Sequence, residues 1–120
     1  MADSADVPPI DRARMLELRD QYGDLLAQLI DIFADTTPAT LSELRSARER
    51  DDADAIRRAA HRLKGACQNV GATRMTELCR ALEANPASAT LDALPAAFEP
   101  TLTALRGVVG SEPEGAHQLL

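Results

Sequence analysis

Aromatic residues are scarce in this sequence: they make up 2% of its 120 residues, and tryptophan is absent. The core must therefore be aliphatic, since hydrophobic residues still account for 45% of the chain. Leucine and alanine favour helices, whereas strands favour β-branched and aromatic side chains. The length suits a single domain with its own core. We therefore predict one all-α domain.

Cysteines, basic residues and long apolar runs are also few. Cys67 and Cys79 lie on apolar helix faces without CxxC spacing, so we expect buried reduced thiols rather than a zinc site or a disulfide framework. The formal net charge of −6 disfavours a nucleic-acid partner. No apolar run approaches the ~20 residues of a membrane span, and residues 1–7 lack the basic and apolar regions of a signal peptide. We expect a cytoplasmic protein that binds neither nucleic acid nor a membrane.

Apolar residues recur at spacings of three and four in four segments, which is typical of amphipathic helices. These segments cover residues 24–49, 52–70, 73–84 and 91–105. Short connections between them predict an antiparallel up-and-down four-helix bundle over residues 10–109. An additional short N-terminal helix is expected to pack across one end, over residues 11–19 with Met15 and Leu18 facing inward.

Polar and helix-breaking residues set the predicted ends of these helices. The acidic cluster at residues 51–54 favours a helix start, because it offers a cap and suits the helix dipole. Gly71 ends that helix, and Thr73 is expected to cap the next one. Thr37-Pro38 is compatible both with the start of a separate helix and with a kink in one longer helix. Pro100 is expected to bend the last helix.

The helix over residues 52–70 carries a histidine on its polar side. At about 100° per residue, its apolar side chains face the core together: Ile56, Ala59, Leu63, Ala66, Cys67 and Val70. His61 lies on the opposite side. That side also carries Arg57, Lys64, Gly65 and Gln68. A glycine in a helix interior costs about 1 kcal/mol relative to alanine, and close access of a partner to His61 would offset that cost at Gly65.

This combination of side chains favours phosphoryl chemistry. A solvated imidazole is largely neutral near pH 7, and one ring nitrogen of His61 can attack a phosphoryl group and carry it covalently. Lys64, one turn along, can approach the phosphate oxygens, and Gln68, two turns along, can donate a hydrogen bond. A single histidine on a polar helix face is usually an inert solvated residue, so the hypothesis depends on the whole group.

Residues 61–72, HRLKGACQNVGA, resemble the signature of histidine-containing phosphotransfer (HPt) domains, which is H-x-L-K-G followed by small residues and then G-A. Residues 33–44, 56–60 and 78–83 also resemble the family, and the resemblance covers roughly residues 10–106. Cys67 departs from the family pattern, which usually has a small residue such as serine or alanine there. A cysteine still suits the buried face.

The resemblance implies a phosphorelay intermediate. His61 would accept a phosphoryl group from the aspartate of a response-regulator receiver and pass it to another receiver, with Lys64 and Gln68 assisting. Mg²⁺ would be held by the receiver, so the chain itself is expected to need no metal or cofactor. The chain would be a phosphocarrier without its own ATP site rather than an enzyme.

The resemblance also implies how partners bind. Gly65 would let a receiver approach His61, and Arg57 and Arg58 would contact it. The partners would be receiver domains of response regulators, of a hybrid histidine kinase, or of both, and the chain itself is expected to be a monomer. The direction of phosphate flow stays open, as does whether the chain is free-standing or part of a hybrid kinase.

Two other functions also use a surface histidine on a helical bundle. The dimerisation and phosphoacceptor region of a sensor histidine kinase usually has an acidic residue directly after the histidine and a proline a few positions on. Here Arg62 follows His61, the next proline is Pro86, and no glycine-rich nucleotide-binding segment occurs. A receiver-binding module with an idle histidine would need the same docking residues, so the sequence leaves that function open.

The two ends of the chain complete the predicted organisation. Residues 1–9 are expected to form a flexible arm and residues 110–120 a flexible tail. His117 lies in the tail and is given no role.

Overall fold

The computed structural model describes residues 7–110, and every regular element in that part of the chain is a helix. The helices are α1 (Arg12–Glu49), α2 (Ala53–Asn69), α3 (Thr73–Ala84) and α4 (Thr90–Gly110). Each helix packs against the one before and the one after it, and α4 packs back against α1. The predicted all-α four-helix bundle is confirmed.

The first helix consists of a short N-terminal piece and a long arm. Tyr22 leaves helical geometry (φ −142°, ψ 48°) and separates the two. Asp11 caps the short piece, since its carboxylate accepts a hydrogen bond from the Arg14 amide at 3.2 Å. Met15 is fully buried and Leu18 half-buried. The predicted additional N-terminal helix is therefore confirmed.

Prolines lie inside both long helices. The arm of α1 continues through Pro38, so this residue does not separate two helices. Pro95 and Pro100 likewise lie within α4, which runs unbroken from Thr90 to Gly110. Each proline removes one backbone donor from its helix, and packing of α1 against α4 maintains both helices despite that loss.

The ends of α2 largely agree with the sequence. Asp52 caps α2 and accepts a hydrogen bond from the Ala55 amide at 3.0 Å. Gly71 follows the C-cap residue with a φ of 66°, in the left-handed region that favours glycine. A Cβ atom there would lie 2.6 Å from Cε of Met15, so the close approach of the N-terminal helix also requires a glycine.

The predicted cap at Thr73 is wrong. Ala72 is the N-cap residue of α3 and makes no side-chain cap, whereas Thr73 is already the first helical residue. Its hydroxyl donates to the carbonyl of Pro8 at 2.6 Å. The Thr73 hydroxyl therefore binds the N-terminal segment instead of capping α3. Residues 7 and 8 cross the start of α3, and Arg74 Nε also donates a hydrogen bond to the Val7 carbonyl at 2.9 Å. At its other end, α3 ends at Ala84 with Asn85 as the C-cap residue, in agreement with the predicted range of residues 73–84.

One aliphatic core joins all four helices. The apolar residues at helical spacing along α3 form its inward stripe and are buried: Met75, Leu78, Cys79 and Leu82. Those of α2 are buried except Ala66, which is half-buried, while Ala60, on the flank of the predicted face, is fully buried. Phe33 and Phe98 meet between α1 and α4 with ring centroids 5.7 Å apart.

Both cysteines are free and buried, as predicted. Hydrogen bonding to the Cys79 thiol and burial both raise the pKa of Cys67. The Cys67 thiol therefore stays protonated, which makes it a poor nucleophile.

The described residues contain no helix that is both long and apolar enough to cross a membrane. Most of the predicted flexible arm and tail, including His117, lies outside the described residues, and these boundaries stay predictions.

Candidate functional site

The second helix turns its apolar face to the core and presents His61 to solvent. The His61 side chain is 72% exposed. Arg57, Arg58 and Gln68 are exposed as well, and Lys64 is half-buried. The polar face predicted from the helical period is therefore the solvent face of α2, and the roles of its residues stay predictions.

A carboxylate from α3 lies between two of these side chains. Glu83 Oε2 is 3.2 Å from His61 Nδ1, and Glu83 Oε1 is 2.8 Å from Lys64 Nζ. The Glu83 side chain is 21% exposed, as is that of Lys64. The carboxylate thus links the His61 ring to Lys64 across the α2–α3 interface.

Sequence reasoning missed Glu83. One feature of the sequence could have indicated Glu83. This residue directly follows Leu82 and comes four residues after Cys79, and both of those residues are on the inward stripe of α3. A charged residue beside that stripe lies at the edge of a helix interface. To predict the contact of Glu83 with His61, one would also have to know that α3 packs on the His61 side of α2.

The lysine determines the ionisation of this carboxyl group. Hydrogen bonding to Lys64 is the main cause that holds the pKa of Glu83 below its ordinary value. Partial burial opposes this effect, and His61 adds to it. Glu83 is therefore ionised near pH 7, and an ionised carboxylate can only accept hydrogen bonds. The proton of a neutral His61 ring consequently lies on Nδ1, and Nε2 has a free lone pair.

Gly65 has open space where a side chain would extend. A Cβ atom added there meets nothing within 4 Å. Close packing between helices therefore does not explain this glycine, which leaves access from outside the bundle as its predicted purpose.

The basic side chains of α2 line a shallow recess beside the histidine. The recess has a volume of about 470 Å³ and is lined by Arg57, Arg58, His61, Arg62 and Glu83. Arg57 pairs with Asp54 at 3.1 Å, and Arg62 pairs with Glu43 of α1.

The glutamine two turns along α2 lies apart from this group. The structure does not place Gln68 among the described contacts of His61, Lys64 and Glu83. Its backbone carbonyl accepts a hydrogen bond from Arg14 Nη1 at 3.5 Å, and its side chain lies exposed on the same face of α2. Within residues 7–110, no three histidine, cysteine or acidic side chains are grouped as metal ligands would be.

Comparisons with known proteins bear on the family and the fold of the chain. A segment of the sensor protein TorS from Escherichia coli is 43% identical to this chain over 51 residues. That segment spans 42% of the chain and 6% of TorS, so the chain corresponds to a small part of that relative. The solved histidine-containing phosphotransfer domain of ArcB from Escherichia coli has the same fold, with a TM-score of 0.68 and 20% identity. The match covers 83% of this chain and 92% of the ArcB domain.

The sequence model of the Hpt domain family matches residues 28–108, which is more than half of the chain. The matched range contains α2, α3 and the contacts of His61 with Glu83 and of Glu83 with Lys64. The chain therefore belongs to the Hpt domain family.

Proposed function

We propose that this chain is a phosphorelay intermediate, which accepts a phosphoryl group on His61 from a receiver aspartate and passes it to another receiver. The observation that carries the proposal is the contact between His61 Nδ1 and Glu83 Oε2, 3.2 Å long, on a ring that is 72% exposed. It leaves the lone pair of Nε2 available on an accessible nucleophile.

The reaction on this geometry is an in-line displacement. The Nε2 lone pair attacks the phosphorus atom of an aspartyl phosphate, a P–N bond forms, and the P–O bond breaks with its electron pair left on the aspartate. The Nδ1 proton stays on the ring, which gains positive charge. Glu83 lies beside that charge and stabilises it. Transfer to the next receiver runs the same steps in reverse.

The neighbouring polar side chains assist in different ways. Lys64 supplies positive charge one turn from His61, where the phosphoryl oxygens would lie. Gln68 donates a hydrogen bond from further along the same face. Mg²⁺ belongs to the receiver in this proposal, and no residue of this chain is assigned a metal or cofactor.

Receiver domains of response regulators or of a hybrid kinase are the proposed partners. Gly65 leaves room for the receiver backbone, because a side chain there would extend into the open space above α2. Arg57 and Arg58 contact the receiver beside His61. In this role the chain acts as a monomeric cytoplasmic phosphocarrier and has no ATP site of its own.

The sensor-kinase dimerisation region and the receiver-binding module are the two alternative functions, and the family match bears on them differently. Membership of the Hpt domain family argues against the dimerisation region of a sensor kinase. A receiver-binding module with an idle histidine has the same fold and the same surface, so only phosphate uptake distinguishes it from a relay intermediate.

The test is transfer of labelled phosphate from a panel of pre-phosphorylated receivers to three forms of the chain. The wild type and His117→Gln, which removes the other histidine of the sequence, are expected to take up acid-labile label. His61→Gln is expected to take up none while keeping its helical circular dichroism, because the side chain faces solvent. Label on His61→Gln, or no label on the wild type from any receiver, would contradict the proposal, and the second result would favour the binding module.

A further inference from the structure

The recess beside His61 is rich in positive charge, although the chain as a whole is acidic. Three arginines and one glutamate line its volume of about 470 Å³ together with the histidine, whereas the whole sequence has 13 basic and 19 acidic residues. Guanidinium groups bind phosphate oxygens through paired hydrogen bonds. The recess therefore combines an exposed imidazole with a local surplus of groups that bind phosphate.

Arg58 is the cation of this recess that is most available to a ligand. Its side chain is exposed, and within residues 7–110 its guanidinium makes no ion pair. Arg58 precedes His61 by three residues, and side chains at that spacing are neighbours on a helix surface. A phosphate group bound to Arg58 would therefore lie next to the His61 ring.

Arg57 and Arg62 are paired, but both pairs are at the surface. Arg57 pairs with Asp54 and Arg62 pairs with Glu43, and all four side chains are exposed. Water and salt weaken ion pairs of this kind. Either guanidinium can therefore exchange its carboxylate for a phosphate oxygen.

We propose that this recess binds a small acyl phosphate and that His61 takes the phosphoryl group from it directly, without a receiver. The proposal rests on the proposed function, because it uses the same histidine as the nucleophile. It adds a second class of donor, a free small molecule, to the receiver domains.

The class of donor follows from the bond that must break. The aspartyl phosphate of a receiver is itself an acyl phosphate, so a free acyl phosphate presents the same P–O bond to His61. The Nε2 lone pair attacks phosphorus, a P–N bond forms, and the P–O bond to the acyl oxygen breaks with its electron pair left on a carboxylate. The Nδ1 proton stays on the ring, and no co-reactant is consumed. A phosphate monoester would have to expel an alkoxide, which is a far poorer leaving group, and it is not a donor.

A free donor depends on this chain for the neutralisation of its charge. In the proposed relay the receiver brings Mg²⁺ together with its aspartyl phosphate, whereas a small acyl phosphate arrives without a protein of its own. Lys64, one turn after His61, and the arginines of the recess would supply the positive charge. A volume of about 470 Å³ is within the range of small-molecule sites, so the recess has room for a donor with a short acyl group.

The first experiment incubates the full chain with acetyl phosphate labelled at phosphorus. The wild type is expected to gain acid-labile label at a rate that saturates as the acetyl phosphate concentration rises, and His61→Gln is expected to gain none. Glycerol phosphate, a monoester, is expected to label neither form. Acetyl phosphate labelled in its acetyl group is expected to leave no label, since attack at phosphorus releases acetate. Retained acetyl label would show attack at the carbonyl carbon and would overturn the proposal.

Arg58→Gln tests whether the recess binds the donor. Loss of this guanidinium is expected to lower the second-order rate constant of labelling by acetyl phosphate about three- to fivefold, which is the range of an exposed charge pair. Arg45→Gln is the matched control, because Arg45 is an exposed arginine on α1 in a separate recess between α1 and α4. It is expected to leave the rate constant unchanged. Equal rate constants for the wild type and Arg58→Gln, or an equal loss in both variants, would overturn the proposal.

A binding measurement keeps the test independent of transfer. Acetonylphosphonate has a CH₂ group in place of the bridging oxygen of acetyl phosphate, so it can bind but cannot donate. In an NMR titration of the wild type, it is expected to shift the signals of residues 57, 58, 61 and 62 and to slow labelling by acetyl phosphate. An absence of shifts at these residues would contradict binding in the recess.

The two donor classes separate this proposal from the relay. Label on the wild type from receivers but not from acetyl phosphate would overturn the proposal and leave the relay standing. Label from acetyl phosphate but from no receiver would support direct phosphorylation and contradict the relay. If neither donor labels the wild type, both fail.

Discussion

The α2–α3 pair and the α1–α4 pair differ in almost every respect. The first pair is short, with 17 and 12 residues, contains no proline, and provides His61, Lys64 and Glu83. The second pair is longer, with 38 and 21 residues, and contains three prolines within its helices and the break at Tyr22. A cross-helix contact of about 3 Å depends on the register of its two helices, whereas a supporting interface requires only that apolar surface be covered. Irregular backbone is therefore found away from the contacts of the proposed site.

The largest effect is expected from a substitution in the interface between α1 and α4. Phe33→Ala removes the ring that packs on Phe98 between α1 and α4 and should lower the free energy of unfolding by about 3–5 kcal/mol. Since Phe33 packs on Phe98 between α1 and α4, whereas the proposed site lies on α2 and α3, phosphotransfer per folded molecule should not change. Urea unfolding and transfer assays at a temperature where the variant is folded measure both. A loss of transfer beyond the loss of folded protein would show that the two pairs are coupled.

A change at the turn between α2 and α3 should affect both stability and transfer. Gly71→Ala places a Cβ atom on a left-handed residue, 2.6 Å from Cε of Met15. We expect a loss of roughly 2 kcal/mol, from the left-handed conformation and the displaced methionine together. Because the corner sets the register of α2 and α3, transfer should slow as well. Gly23→Ala, where a Cβ atom meets nothing within 4 Å, is the control, and equal effects of the two changes would rule out this explanation.

The middle of α2 should respond in the opposite sense. Gly65→Gln adds a helix-favouring side chain in open space and should raise the free energy of unfolding by up to about 1 kcal/mol. The side chain should also obstruct the receiver and slow transfer. Thermal unfolding measures the change in stability, and the kinetics of phosphotransfer with a receiver measure the change in transfer rate. Unchanged transfer would mean that access does not explain this glycine.

Acid should have the smallest effect. The pKa of Glu83 is lowered in the folded chain, mainly by Lys64, from an ordinary value of 4.5. The carboxylate therefore stabilises the fold above pH 4.5, and this contribution disappears as the pH falls through the lower folded pKa. For a partly buried pair at the protein surface we expect about 1 kcal/mol or less. Urea unfolding of the wild type and Glu83→Gln between pH 7 and pH 3 measures the difference, which should shrink as the pH falls; a difference that grew instead would reverse the sign of the shift.

The sequence predicted features that depend on one helix at a time. The helix start at the acidic cluster of residues 51–54, the stop at Gly71 and the solvent face with His61 follow from local chemistry and the helical period, and the structure agrees with all three. The burial of Ala60 was missed because the prediction gave α2 one apolar face and therefore one neighbouring helix. In the structure α2 packs against both α1 and α3, which widens its buried surface.

Features that depend on the placement of two segments were not predictable in this way. Glu83 meets His61 only because of the rotation of α3 relative to α2. Thr73 failed as a cap because the carbonyl of Pro8, 65 residues earlier in the chain, takes its hydroxyl. The course of α1 through Pro38 is likewise decided by packing rather than by the propensity of proline.

The N-terminal helix has a practical consequence for anyone who shortens this chain. The family match begins at residue 28, yet the Asp11 amide donates to the Gly71 carbonyl at 2.9 Å and Met15 lies against Gly71. A chain trimmed to the matched range would keep every residue of the proposed site. It would lose Asp11 and Met15, which contact Gly71 in the turn between α2 and α3. If the proposed function holds, we expect such a fragment to bind receivers weakly, because the turn between α2 and α3 is no longer fixed and not because a residue of the proposed site is missing.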